Sequence, residues 1–195
     1  MSGRYAHVPR VVAEMLAAAS VAEALKLGIP MAVAVVDSEG GAQAFTRMDG
    51  TLPVSSELAV SKAYTAAILR MTSAQVGVLA QPGAALYGIE STHNGRIVLF
   101  GGGLPLCLDG EVAGAIGVSG GSVEEDVKVA TPAVELLRDM ECWAETFRKL
   151  LPGVTVAALA LERLADELSK VLQASPEISP GRISTLVGAV CLALS

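Results

Sequence analysis

The side chains able to do chemistry in this sequence are few, and their scarcity narrows the reaction classes open to it. Two histidines are present, His7 and His93. An imidazole serves as a general base or as a ligand to a metal, iron included. His7 precedes a helix signal at Pro9, and His93 lies in Thr92-His93-Asn94-Gly95, a turn sequence ahead of an apolar run. Read alone, each also fits an ordinary surface histidine. Two isolated histidines do not supply the paired donors at helical spacing that a zinc hydrolase needs. The three cysteines, Cys107, Cys142 and Cys191, are far apart and without metal-ligand spacing, as free thiols of a reducing cytosol would be.

Three cations stand beside loops: Arg47 after a strand signal, Lys62 on the following helix, and Arg96 ahead of an apolar run. Guanidinium and ammonium groups grip carboxylates, so this set is able to clamp a small organic acid. The alternative is internal ion pairing, with Asp37 or Asp49 as partners. The triple glycine Gly101-Gly102-Gly103 lies between two strand signals. Bare backbone N–H groups there can approach an anionic group of a ligand. Equally, the run fits a bulge or tight crossing that only glycine permits. No Gly-Lys-Ser/Thr follows, which excludes a nucleotide P-loop. Ser119-Gly120-Gly121-Ser122 precedes a helix and is an anion site in principle. Glu124, Glu125 and Asp126 in the first turn would repel a phosphate, which favours structural capping. Val118-Ser119-Gly120-Gly121 is not expected to have the strand–nucleophile–helix pattern of a hydrolase elbow. No catalytic centre is recognisable, so the residues read as a binding protein before an enzyme.

The elements that must position these groups follow from periodicity. Val12, Leu16, Ala19 and Ala22 recur at helical spacing, and Gly28 and Pro30 end that helix. Residues 31–36 form a β-rich apolar run, and residues 42–47 read as its returning strand after the turn at 37–41. Ser55 or Ser56 is expected to cap a helix through Leu69, and Thr72 a shorter one ended by Gln81-Pro82-Gly83. Strands are expected at residues 96–100, 104–108 and 112–118, the last two joined by the Asp109-Gly110 turn. Ser122 starts a further helix that Pro132 would kink or restart. Hairpins interrupted by helices favour an antiparallel sheet with helices packed on it, an α+β arrangement.

Of the 195 residues, 52% are hydrophobic and 17% charged, and only seven are aromatic (one Trp, three Tyr, three Phe). A core made largely of Ala and Val requires its elements to approach closely. Apolar surface beyond the core is most naturally covered by self-association into a homo-oligomer. A net charge of −6 with no basic run argues against nucleic acid. No stretch of roughly 20 unbroken apolar residues offers a membrane span, and the N-terminus lacks the apolar core of a signal peptide, so a cytoplasmic location is expected.

Three stretches taken together carry a resemblance. They are Val33-Ala34-Val35-Val36-Asp37-x-x-Gly40 with Arg47-Met48-Asp49-Gly50; Lys62-Ala63-x-Thr65-Ala66; and Gly101-Gly102-Gly103-Leu104-Pro105-Leu106 with Gly110-Glu111-Val112-x-Gly114-Ala115-Ile116-Gly117-Val118-Ser119-Gly120-Gly121 and Asp126. In this order and spacing the set resembles the GlcG/HbpS family, and within it the C-terminal domain of PduO proteins, across residues 9–148. The resemblance implies a profilin-like fold, an antiparallel sheet flanked by helices, commonly assembled into dimers or larger oligomers. It implies haem or corrinoid-related ligands in some members, and no catalytic activity shared across the family. It implies an axial role for a histidine near the first helix, which points to His7 as the iron ligand; His93 stays a separate candidate read from the residues alone. It also implies an accessory role in propanediol and cobalamin or in glycolate metabolism. Full PduO proteins also carry a corrinoid adenosyltransferase domain, to which the resemblance does not extend, so that activity is not expected here.

Two domains are expected, residues 1–150 and a helical C-terminal extension at 151–195. Leu161, Leu164, Leu168, Val171 and Leu172 line one face of an amphipathic helix, and residues 175–181 form a Pro/Ser linker. Residues 183–194 form a short apolar segment. Such a tail either folds back on the domain or its oligomer interface, or docks the chain as cargo or scaffold onto a bacterial microcompartment shell, as the PduO resemblance implies.

Overall fold

In a computed structural model, residues 7–150 are described, with side chains through residue 142. The tail at 151–195, expected to be helical, lies outside the described residues. By backbone proximity the chain divides into Met1–Arg138 and Asp139–Ser195, and the account below concerns the first unit.

The first helix, α1 (Arg10–Leu27), begins behind Pro9 and stops at Gly28, whose φ of 69° lets its N–H turn back to the carbonyls of Ala24 and Leu25. Strands β1 (Ala32–Asp37) and β2 (Ala42–Arg47) form an antiparallel hairpin. Helix α2 (Pro53–Leu69) follows. Its N-cap is Leu52 with Pro53 at the helix start, which corrects the expectation of a Ser55 or Ser56 cap. Ser55 is buried inside the helix instead. Helix α3 (Ser73–Leu79) does carry the expected Thr72 cap, completed by a reciprocal bond from Gln75. Two short 3-10 turns, Ile89–Ser91 and His93–Gly95, lead to strands β3 (Gly103–Leu108) and β4 (Glu111–Ser119). Asp109 and Gly110, with φ of 51° and 78°, make the tight turn between them. Helix α4 (Val123–Leu150) runs through Pro132 without restarting.

The strands form one antiparallel sheet in the order β2-β1-β4-β3, so the fold is α+β as expected. Among the described residues the sheet has four strands, and residues 96–100 are not one of them. Ile97 and Val98 are buried, but the Val98 N–H donates to Thr65 Oγ1 at 2.9 Å instead of to a neighbouring strand. The apolar run reports burial against α2; it does not report ladder pairing.

Alternation along β1 divides the core. Val33 and Val35 join Leu16, Ile116, Val118, Val129 and Ala133 on the face shared with α1 and α4. Ala32, Ala34 and Val36 meet Ala59, Ala63, Ala66 and Ala67 of α2 on the other. Alanines let α2 lie almost on the sheet backbone. A Cβ added to Gly117 of β4 would sit 2.0 Å from the Ala59 carbonyl oxygen. This close seating explains the sequence's preference for small side chains, and it carries Lys62 and Tyr64 to their places.

Candidate functional site

Lys62 is fully buried at the centre of the fold. Its Nζ donates to Asp126 Oδ2 at 2.6 Å and to the Val118 carbonyl oxygen at 3.0 Å. The ammonium also lies 4.9 Å from the centroid of the Phe100 ring. Removal from water pushes the Lys62 pKa down, and the hydrogen bond and charge of Asp126 oppose that shift. Asp126 in turn accepts from the Gly121 N–H through Oδ1 at 3.1 Å. The internal ion pair weighed from sequence is thus present, with Asp126 as the partner in place of Asp37 or Asp49. Asp37 instead orders the β1–β2 turn, accepting from the N–H groups of Glu39 and Gly41 and from the Gln43 amide.

The triple glycine closes over this pair. A Cβ at Gly101 would stand 2.9 Å from Val123 and Val127 side chains, one at Gly102 2.8 Å from Lys62 Nζ, and one at Gly103 2.3 Å from the Lys62 carbonyl oxygen. All three glycines are buried. Gly102 also has φ of 113°. The space that these residues leave open is filled by protein, and the backbone makes a tight crossing. Ser122 and Glu125 cap α4 reciprocally, the Glu125 N–H bonding Ser122 Oγ and the Ser122 N–H bonding Glu125 Oε2. The α4 amino end is therefore satisfied by its own side chains.

Ser119 corrects one expectation. Gly117-x-Ser119-x-Gly121 does have the spacing of an elbow, and Ser119 ends β4 shortly before α4 begins. The serine is buried in an antiparallel sheet. Among the described residues neither histidine is hydrogen-bonded to it, so the proton acceptor that a nucleophilic serine needs is missing from its bonding partners.

Arg47 and Arg96 are separated from Lys62 in role. Arg47 donates to the Thr51 carbonyl oxygen at 2.7 Å and fastens the loop between β2 and α2. Arg96 places its guanidinium 3.7 Å from the centroid of the Tyr64 ring. Tyr64 also meets His93: its hydroxyl is 2.9 Å from His93 Nδ1, and the rings are edge to face with centroids 5.9 Å apart. His7 is exposed at the start of the described chain. The adjoining Val8 is anchored by its N–H to the Ala113 carbonyl oxygen at 3.2 Å.

The structure thus gathers two of the candidates, His93 and Arg96, around a residue that the sequence reading passed over. Tyr64 occupies the unspecified position of Lys62-Ala63-x-Thr65-Ala66. Helical geometry turns Lys62 and Thr65 inward and leaves Tyr64 half-buried at the surface. Among the described residues no three His, Cys, Asp or Glu side chains cluster as a metal site, and no helix is long and apolar enough to cross a membrane.

Residues 9–135 match the family of the haem degrading protein HbpS-like type. A 15.0 kDa protein of the dhaT-dhaS intergenic region of Citrobacter freundii is 40% identical over 71% of this chain and 98% of its own length. The corrinoid adenosyltransferase PduO of Salmonella typhimurium is 44% identical over 61% of this chain, but the match spans only 35% of that longer protein. Among solved structures, the PduOC:haem complex superposes with a TM-score of 0.64 at 41% identity, covering 66% of this chain and 94% of that one.

Proposed function

The chain belongs to the HbpS-like family, and from that premise we propose that it is a haem-binding protein. The observation that carries the reading is the similarity to a solved haem complex over nearly all of that chain. The residues present fit the group. Both His7 and His93 are exposed, so either imidazole would be available to hold the iron. His93 has its Nδ1 engaged by the Tyr64 hydroxyl. A histidine held through one nitrogen presents the other in a fixed direction, the usual arrangement for a metal-bound imidazole. Lys62 and Gly101 to Gly103 act from behind, holding the fold closed; they do not touch the ligand in this reading. Iron porphyrin, when bound, supplies redox and gas-ligand chemistry, and the polypeptide's part is to bind, orient and shield it.

Pathway and assembly remain finer proposals. An accessory role in cobalamin and propanediol metabolism, with a corrinoid-related ligand, is supported by the PduO similarity. Because the match leaves out most of PduO, adenosyl transfer is not part of the proposal. A homo-oligomer is supported by exposed large apolar residues such as Leu25, Phe45, Leu52, Val78 and Tyr87. Docking to a microcompartment shell through residues 183–194 is tested by deleting residues 176–195 and following localisation.

Titration with hemin tests the central reading. A saturable Soret shift near one equivalent per chain is the expected result, and free-hemin spectra at every ratio would overturn it. His7→Ala and His93→Ala then assign the axial donor, and an unchanged spectrum in both variants excludes histidine ligation.

A further inference from the structure

Of the three cations that stand beside loops, Arg96 is the one left without a polar side-chain partner among the described residues. Its backbone is held by Thr65, whose Oγ1 reaches the Arg96 carbonyl oxygen at 3.3 Å and accepts from the buried Val98 N–H. Yet among the described residues its guanidinium has neither a hydrogen bond nor an ion pair; its single contact of note is the Tyr64 ring. Stacking on a ring occupies a face of the guanidinium plane. It leaves the N–H donors at the edge, where planar carboxylates bind in pairs.

The platform beneath Arg96 is itself held from several sides. The Tyr64 ring presses on Gly40 in the β1–β2 turn, where an added Cβ would lie 2.4 Å from Cδ2. Gly40 has φ of 82°, so the turn is glycine's for two reasons. The tyrosine hydroxyl is held by His93 Nδ1. His93, Asn94 and Gly95 take left-handed φ of 51°, 58° and 74° in succession. Such a conformation costs free energy in non-glycine residues and persists where the surroundings impose it. Segments around Gly40 and His93 thus converge on the tyrosine against which the half-buried Arg96 rests, and the guanidinium is left without a polar partner among the described residues. An internal ion pair does not account for this, since no carboxylate is in place.

We propose that Tyr64, His93 and Arg96 form a carboxylate-binding site in which Arg96 makes the charge-assisted contact, Tyr64 is its platform and His93 fixes the tyrosine. The carboxylate has two sources. It is either a propionate of bound haem, which makes Arg96 an anchor for that ligand, or the carboxylate of a free small organic acid. The site goes beyond the haem reading, because the second source does not require it. Lys62 and Arg47 are not members, since protein atoms already take their donors.

The test compares wild type with Arg96→Gln, which keeps a planar polar group without charge, and with Arg96→Ala, each checked for folding by circular dichroism. In one arm hemin is titrated beside its dimethyl ester, which has no free carboxylate. In the other, sodium propionate is titrated and the His93 and Tyr64 ring resonances are followed by NMR. If haem is the source, both variants weaken hemin binding about 10- to 100-fold, the range for one charge-assisted contact, and leave the ester unaffected. If a free acid is the source, propionate shifts those resonances in wild type and not in the variants, while hemin and ester bind alike in all three. Propionate binding without any hemin binding would remove the haem reading and keep this site. The site is overturned if the variants match wild type in both arms, or if wild type itself neither prefers hemin to the ester nor binds propionate.

Discussion

Lys62 of α2 and Asp126 of α4 meet at 2.6 Å with both side chains buried, one from each side of the sheet that separates their helices. The two charges are compensated by each other and by the carbonyl of Val118 and the N–H of Gly121. Lys62 therefore ties together α2, the end of β4, the glycine crossing and the first turn of α4.

Removing one partner leaves a buried charge alone. Lys62→Ala or Asp126→Ala should cost about 3–5 kcal/mol in urea unfolding. A double Lys62→Met, Asp126→Leu variant should recover much of that loss, because neither charge then needs compensation. Single variants as stable as wild type would show that the pair is not held as described.

The same lysine sets a pH dependence. Burial lowers its folded pKa below the usual 10.5. In the window between the folded pKa and 10.5 the unfolded chain binds more protons, so this group's contribution to stability rises with pH there. Below the window the contribution is constant. Unfolding free energies of wild type minus Lys62→Met, measured across the alkaline range, should climb toward 10.5; a falling difference would contradict the sign.

Thr65 carries the irregular segment that replaces a strand. Its Oγ1 donates to the Ser61 carbonyl oxygen at 2.7 Å and accepts from the buried Val98 N–H. Thr65→Val keeps the volume and orphans that N–H, at about 1–3 kcal/mol. Thr65→Ser should recover most of it. Faster hydrogen exchange at the Val98 amide in the valine variant is the local readout.

Two glycines should respond differently to alanine. At Gly117 the new Cβ would meet the Ala59 carbonyl oxygen at 2.0 Å and push α2 off the sheet, a loss of about 3 kcal/mol. At Gly110 nothing lies within 4 Å and only the φ of 78° is strained, a loss of about 1 kcal/mol. Equal melting-temperature shifts in the two variants would count against the close α2–sheet packing.

The sequence by itself determined the element order, the two hairpin turns, the Thr72 cap and the α+β class, because these depend on local preferences and on periodicity. Its motif spacing also carried the family. Tertiary structure alone decided which charges met. Lys62 and Asp126 are 64 residues apart, and no local pattern chooses Asp126 over Asp37 when both are acids near turns. It likewise turned residues 96–100 from an expected strand into an irregular segment in which Ile97 and Val98 are buried, since an apolar run records burial without saying whether its N–H groups find a strand or a threonine hydroxyl. Tyr64, His93 and Arg96 were brought together the same way. His93 and Arg96 stood out by residue type, but nothing local pairs them with Tyr64, and only the tertiary fold makes the three neighbours.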